Sequence, residues 1–257
     1  MLRPRIIPCL LIKDKGLVKT VNFSNPKYLG DPINTVRIFN EKCVDELIVL
    51  DIDATVKGKD PNLKMIDNLA TECRMPLCYG GGIKTVDQIC EIIELGVEKV
   101  SLSSIAIENI GIVNNAAKLV GSQSIVVTLD VKKENNNNYI FTHNGKKNIK
   151  IDPVDMVKDL QASGAGEIVI NSIDNDGVMK GYNINLIEKI MNVVDIPITV
   201  VGGAGTLSDI GELFRKFKLI GACAGSLFVF KGVYRAVLIN YPNVAEKEEL
   251  YSNLYYQ

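Results

Sequence analysis

Short runs of apolar, largely β-branched residues recur along the chain, separated by stretches in which apolar positions return every three to four residues. Eight runs stand out: RIIPCLLI (5–12), ELIVLDI (46–52), PLCYG (76–80), KVSLS (99–103), SIVVTLDV (124–131), EIVINSI (167–173), PITVV (197–201) and IGACAG (220–225). Runs of this length predict buried strands, and the periodic stretches between them predict amphipathic helices. In TVDQICEIIELG (85–96), Val86, Ile89 and Ile93 mark one helical face and Gly96 the stop. Alternating strands and helices over eight units predict a (β/α)8 TIM barrel, with an open doubly wound sheet as the alternative.

An internal repeat favours the barrel. CYGGGIKT (78–85) and TVVGGAGT (199–206) each follow closely on a proline and an apolar residue, and Gly82 and Gly203 are 121 positions apart, as are Thr85 and Thr206. At the same offset DELIVLDIDAT (45–55) lies over GEIVINSIDND (166–176), matching Glu46 with Glu167 and Asp53 with Asp174. The first and fifth strands align at 119, which sets Lys13 on Lys132 and Leu11 on Asp130. Two fused half-barrels close naturally into one ring, whereas an open sheet has no need of the symmetry. The expected organisation is one barrel over 1–243, in halves of about 1–120 and 121–243, followed by a tail over 244–257 that is frayed or docked. The polar excursion KKENNNNYIFTHNGKK predicts a long loop or hairpin on the rim.

Composition narrows the function classes. With 47% hydrophobic residues in 257, a large core is available, and a formal net charge of −1 gives no pull toward nucleic acid or an anionic membrane. No apolar run approaches the roughly 18 residues of a membrane helix, and the basic, briefly apolar amino terminus reads as a first strand rather than a signal peptide. The six cysteines show no C-x-x-C pairing, which predicts reduced, structural thiols and a cytoplasmic home. The single histidine, His143, sits in a polar stretch, so neither a metal site nor a serine–histidine triad is expected.

The repeated glycines carry the candidate chemistry. In such barrels function gathers at the carboxyl ends of the strands, where glycines let backbone N–H groups approach an anion. GGG after the third strand neighbours SLSS at the fourth, so Gly82, Ser103 and Ser104 predict one phosphate cradle. GGAG after the seventh neighbours AGS after the eighth, so Gly203, Gly225 and Ser226 predict another. Two cradles on opposite sides of one ring predict a substrate with two phosphates. The plainer alternative is that the glycines only make tight turns.

Together with GSQS, FTHNGKKN, SIDNDG (172–177) and GY, these motifs make the chain resemble, over nearly its whole length, the cyclase subunit family of imidazole glycerol phosphate synthase. The resemblance implies a barrel that takes ammonia from a separate glutaminase docked at its amino-terminal face, with no cofactor and no metal. It implies an ammonia gate at Arg5, Glu46, Lys99 and Glu167, and it adds Asp176 and Gly177 to the phosphate ligands. The implied reaction adds ammonia to a bis-phosphorylated ribulosyl carboxamide nucleotide and closes the imidazole ring. Imidazole glycerol phosphate and an aminoimidazole carboxamide ribotide are released.

The resemblance implies two catalytic aspartates, at the ends of strands one and five. Asp130 matches the second, while Leu11 stands where the first belongs and can neither give nor take a proton. Lys19 matches a lysine on the family's mobile first loop, with Thr20 where glycine is usual, and Asp53 and Asn171 stand where threonine is usual. Overall similarity makes the histidine-pathway cyclase the first reading, and Leu11 is the argument against it. A divergent paralogue delivering ammonia for amidination of a surface-polysaccharide sugar, and a non-catalytic ammonia conduit, are the alternatives.

Overall fold

The computed structural model describes residues 3–252. Eight parallel strands form the barrel: β1 (Arg5–Lys13), β2 (Leu47–Asp51), β3 (Leu77–Gly80), β4 (Lys99–Leu102), β5 (Ile125–Glu134), β6 (Glu167–Ser172), β7 (Ile198–Val201) and β8 (Gly221–Ala224). Each pairs with the next in sequence, and β8 returns to β1 with Arg5 opposite Gly221 and Ile7 opposite Cys223. That last pairing closes the ring and excludes the open sheet.

Strand alternation sorts the core into two parts. Outward-facing residues such as Ile6, Leu10, Tyr79 and Val127 join the helices in one large apolar layer. Inward-facing Ile7, Cys9, Ile48, Cys78, Val126, Val169, Val201 and Cys223 fill the bore, as period-two strands around a closed sheet require. All six cysteines are free thiols, three of them in this bore.

The repeat has a structural counterpart in the helices after the glycine turns. Thr85 caps helix Val86–Glu94 in a capping box with Gln88, and Thr206 caps helix Leu207–Phe217 in one with Asp209. Reciprocal bonds of this kind satisfy donors that a helix start otherwise leaves open. In the first of these helices Ile89 and Ile92 are fully buried, and the expected Val86 and Ile93 flank them, half-buried.

The rim hairpins repeat as well. After β1 the chain folds back as an antiparallel pair, Gly16–Val21 with Ser24–Gly30, and after β5 as Asn137–Thr142. The strand runs predicted to end at 12 and 131 continue to Lys13 and Glu134, because these hairpins extend the pairing past the barrel. Of the expected tail, Val244–Ser252 is a helix docked on the barrel: Tyr251 is buried with its ring 6.1 Å from that of Phe214, and Lys247 pairs with Asp45 at 2.9 Å. Residues 253–257 lie outside the described residues.

Candidate active site

At the amino-terminal end of the bore, the four charges singled out from the sequence meet. Lys99 bonds Glu46 at 2.8 Å and Glu167 at 2.7 Å, and Arg5 bonds Glu167 at 2.7 Å and also Glu46, so the ring is closed. Burial works to neutralise Arg5, but the Glu167 and Glu46 carboxylates outweigh it and hold the guanidinium above its ordinary value. Lys99 is raised by the same two carboxylates against burial, and Glu167 is lowered by Arg5 and Lys99 against burial. A fifth member was not foreseen: Thr199 donates to Glu167 at 2.5 Å. A Cβ on Gly221 would lie 1.9 Å from the Thr199 hydroxyl, so the glycine makes room for it.

At the opposite end opens a cavity of about 290 Å³. Lys19, Gly82, Ser103, Ser104, Asp130, Asp176, Gly177, Gly203, Gly225 and Ser226 all line it, together with Leu11 and Asn171. Asp14 stands apart on the surface, and Asp53 lies outside the cavity, both bonded to Lys57.

The Asp130 carboxylate accepts from the Asn171 amide at 2.8 Å, rather than from a lysine. Burial is the largest influence on it; the Asn171 bond works the other way, and the group is pushed up to about 7. A carboxyl poised there exchanges a proton readily near neutrality, which is what a general acid–base group needs.

Asp176 is engaged within the protein. Its oxygens are occupied by Lys19 Nζ at 2.5 Å and the Thr20 hydroxyl at 2.8 Å, and a buried carboxylate repels phosphate. It therefore ties down the first rim hairpin and positions Lys19. That lysine, expected on a loop, belongs to strand Gly16–Val21 and is buried. Its stem lies over Gly225, where an added Cβ would come within 2.9 Å of Lys19 Cε, so the ammonium is held beside the second cradle.

The cradles differ in their hydroxyls. Ser104 Oγ accepts from the His143 backbone N–H at 3.0 Å. Ser226 Oγ is buried without a partner among the described residues, and such a group normally finds a protein or ligand atom to bond. Gly82 and Gly203 have φ of +76° and +119°, and a Cβ there would lie 2.9 Å from Lys59 O and 2.0 Å from Gly181 O, respectively. Turn geometry alone therefore requires both glycines, and a substitution at either would test the backbone as much as anion binding.

A family model described as histidine biosynthesis protein matches residues 5–235. The chain belongs to that family. Among its relatives, "Putative imidazole glycerol phosphate synthase subunit hisF3" of Vibrio vulnificus (strain YJ016) is 57% identical over 97% of this chain and 96% of that protein. "Putative imidazole glycerol phosphate synthase subunit HisF" of Leptospira borgpetersenii is 55% identical over 98% of this chain and all of that protein. "Imidazole glycerol phosphate synthase subunit HisF" of Natranaerobius thermophilus is 39% identical over 94% and 96%. For a histidine biosynthesis protein of this kind, three further cavity residues escaped the sequence reading. Asp51, at the end of β2, accepts from the N–H groups of Asp53 and Ala54 at 3.0 and 3.1 Å, and burial raises its pKa. His143 and Asn144 arrive on the second rim hairpin. Only Asp51 left a signal, an acid closing an apolar run, and neighbouring Asp53 obscured it.

Proposed function

We propose that the chain is the ammonia-using cyclase subunit of imidazole glycerol phosphate synthase, a two-component glutamine amidotransferase of histidine biosynthesis, and that it works in the cytoplasm. The observation that carries the reading is the arrangement along one axis. A closed ring of two cations and two anions stands at one end, an apolar bore follows, and a cavity holding Asp130 between two glycine–serine cradles opens at the other. Among the described residues no helix is long and apolar enough to cross a membrane.

On this reading the phosphates of the substrate seat at Gly82, Ser103 and Ser104 on one side and at Gly203, Gly225 and Ser226 on the other. Fixing both ends holds the reacting centre over the bore, and such positioning lowers a barrier by removing the entropy of encounter. Neutral ammonia suits the apolar passage better than ammonium does, because a charge there would lose its hydration. Asp130, held by Asn171, takes up and returns protons as the imidazole ring closes, and Lys19 offers its charge to the phosphate of the second cradle.

A separate glutaminase binds the face bearing the charged ring. Lys99→Ala tests the gate: it leaves Glu46 and Glu167 to share Arg5 alone, and glutamine-supported turnover should fall while ammonium-supported turnover is retained. Equal turnover from both nitrogen sources would make the ring a plug rather than a gate. Lys99 is partly exposed, so the loss of stability should stay below the roughly 3–5 kcal/mol of a fully buried broken pair.

Leu11 favours a second reading, a paralogue that passes ammonia on for amidination of a surface-polysaccharide sugar or acts as a conduit only. The histidine-pathway nucleotide with free ammonium separates the two, since a conduit gives no turnover.

A further inference from the structure

The second rim hairpin brings the chain's one histidine to the first cradle. Three consecutive residues there, His143, Asn144 and Gly145, have φ of 53°, 57° and 73°. For the two residues with side chains this is a sparsely populated conformation, held only where the surroundings fix it. Thr142, fully buried, anchors the turn, and its hydroxyl stands 3.1 Å from His143 Nδ1, with Glu108 at 3.8 Å from the same nitrogen. The other ring nitrogen has no protein partner among the described residues, and His143 is one of the residues that line the cavity.

The backbone of the same residue acts on the cradle directly. Because Ser104 Oγ accepts the His143 N–H at 3.0 Å, the hydroxyl's own proton is left free to be donated elsewhere. One residue thus orders the serine through its backbone and lines the same cavity with it.

We propose that His143 is a phosphate-binding residue of the first cradle, its Nε2–H donating to a substrate phosphate oxygen beside Ser104. This rests on the reading of the cradles as phosphate sites. The residue sets specificity and not chemistry: it strengthens the hold on a dianionic group at this end of the substrate and leaves proton transfer to Asp130.

A single histidine makes the test clean, because its imidazole gives one set of ring signals in a nuclear magnetic resonance spectrum. Inorganic phosphate is titrated into the intact chain while that ring and the Gly82 and Gly203 amides are followed. The ring and the Gly82 amide should shift along one saturation curve. His143→Asn keeps a residue that tolerates the left-handed backbone but is too short to reach. It should weaken phosphate binding at Gly82 by about tenfold to a hundredfold, as for one hydrogen bond to a charged group. His143→Gln, with a longer amide donor, should lose less. With the nucleotide substrate the loss should fall on KM and leave kcat. If the Gly82 amide shifts while the ring does not, or if His143→Asn binds as the parent does, the proposal is overturned and the cradles stand. If neither glycine amide responds, the phosphate reading itself fails.

Discussion

The carboxyl ends of β1 and β5 hold equivalent places in the two half-barrels, yet they offer opposite chemistry to the same cavity. In the first half Leu11 stands in register with Leu50, and in the second Asp130 stands in register with Asn171. Each pair sits above the bore and below a rim hairpin. The backbone registers correspond, and the side chains at these positions differ. One pair is titratable and the other is apolar. Position in the barrel brings both pairs to the same cavity, while side-chain identity gives an acid–base group to only one of them.

The comparison breaks most sharply at Asp130. Asp130→Asn should lower ammonium-supported turnover by about 10² to 10⁴, the contribution of one acid–base group, and should remove the rising limb of the pH–rate profile near 7. Turnover within a few-fold of the parent would show that the polar pair is structural. Stability carries a signature of its own. The folded value of about 7 lies above the ordinary 3.8, so between these values the native chain holds a proton that the unfolded chain has released. Asp130 therefore contributes stability below about pH 4 that is lost as pH rises to about 7. Denaturant midpoints of the parent and of Asp130→Asn should diverge across that window, with the variant relatively more stable at pH 8.

Restoring the missing group should give a smaller change of opposite sign. The parent's cyclisation of the histidine-pathway nucleotide should be slow, with a deficit of about 10² to 10⁴, or roughly 3 to 5 kcal/mol of barrier. Leu11→Asp should recover part of it, and Leu11→Asp with Leu50→Asn should recover more, because the new carboxylate then has an amide neighbour as Asp130 does. Steady-state turnover at saturating ammonium decides. Rapid cyclisation by the parent chain would remove the contrast between the halves. Leu11→Asp alone should lose some stability, since its carboxyl meets leucine at the barrel mouth.

The smallest expected effect separates the two cradles. Ser226→Ala removes a buried hydroxyl that has no partner among the described residues, so the ligand-free chain should become slightly more stable, by up to about 1–3 kcal/mol. Binding of a bis-phosphate should weaken in the same variant. Ser104→Ala should instead lose stability, because the His143 N–H loses its acceptor. Melting temperatures with and without ligand check both, and equal shifts would make the cradles equivalent.

The sequence by itself determined the barrel and its two-fold repeat, because these rest on local patterns: strand alternation, glycines at left-handed turns and threonine caps 121 positions apart. The family resemblance, rather than periodicity, marked the four charges and Asp130, and a residue's place along a strand tells which end of the barrel it occupies. The bonding partners at the mouth are set by the closed fold. Lys19 meets Asp176 from 157 positions away, Asp130 meets Asn171 from 41, and His143 meets Ser104 from 39. These pairings arise when the ring closes and the rim hairpins fold inward, and no periodicity encodes them. Asp176 shows the same division: the motif places a carboxylate at the cavity, and the buried ammonium bonded to it becomes a neighbour only in the folded chain.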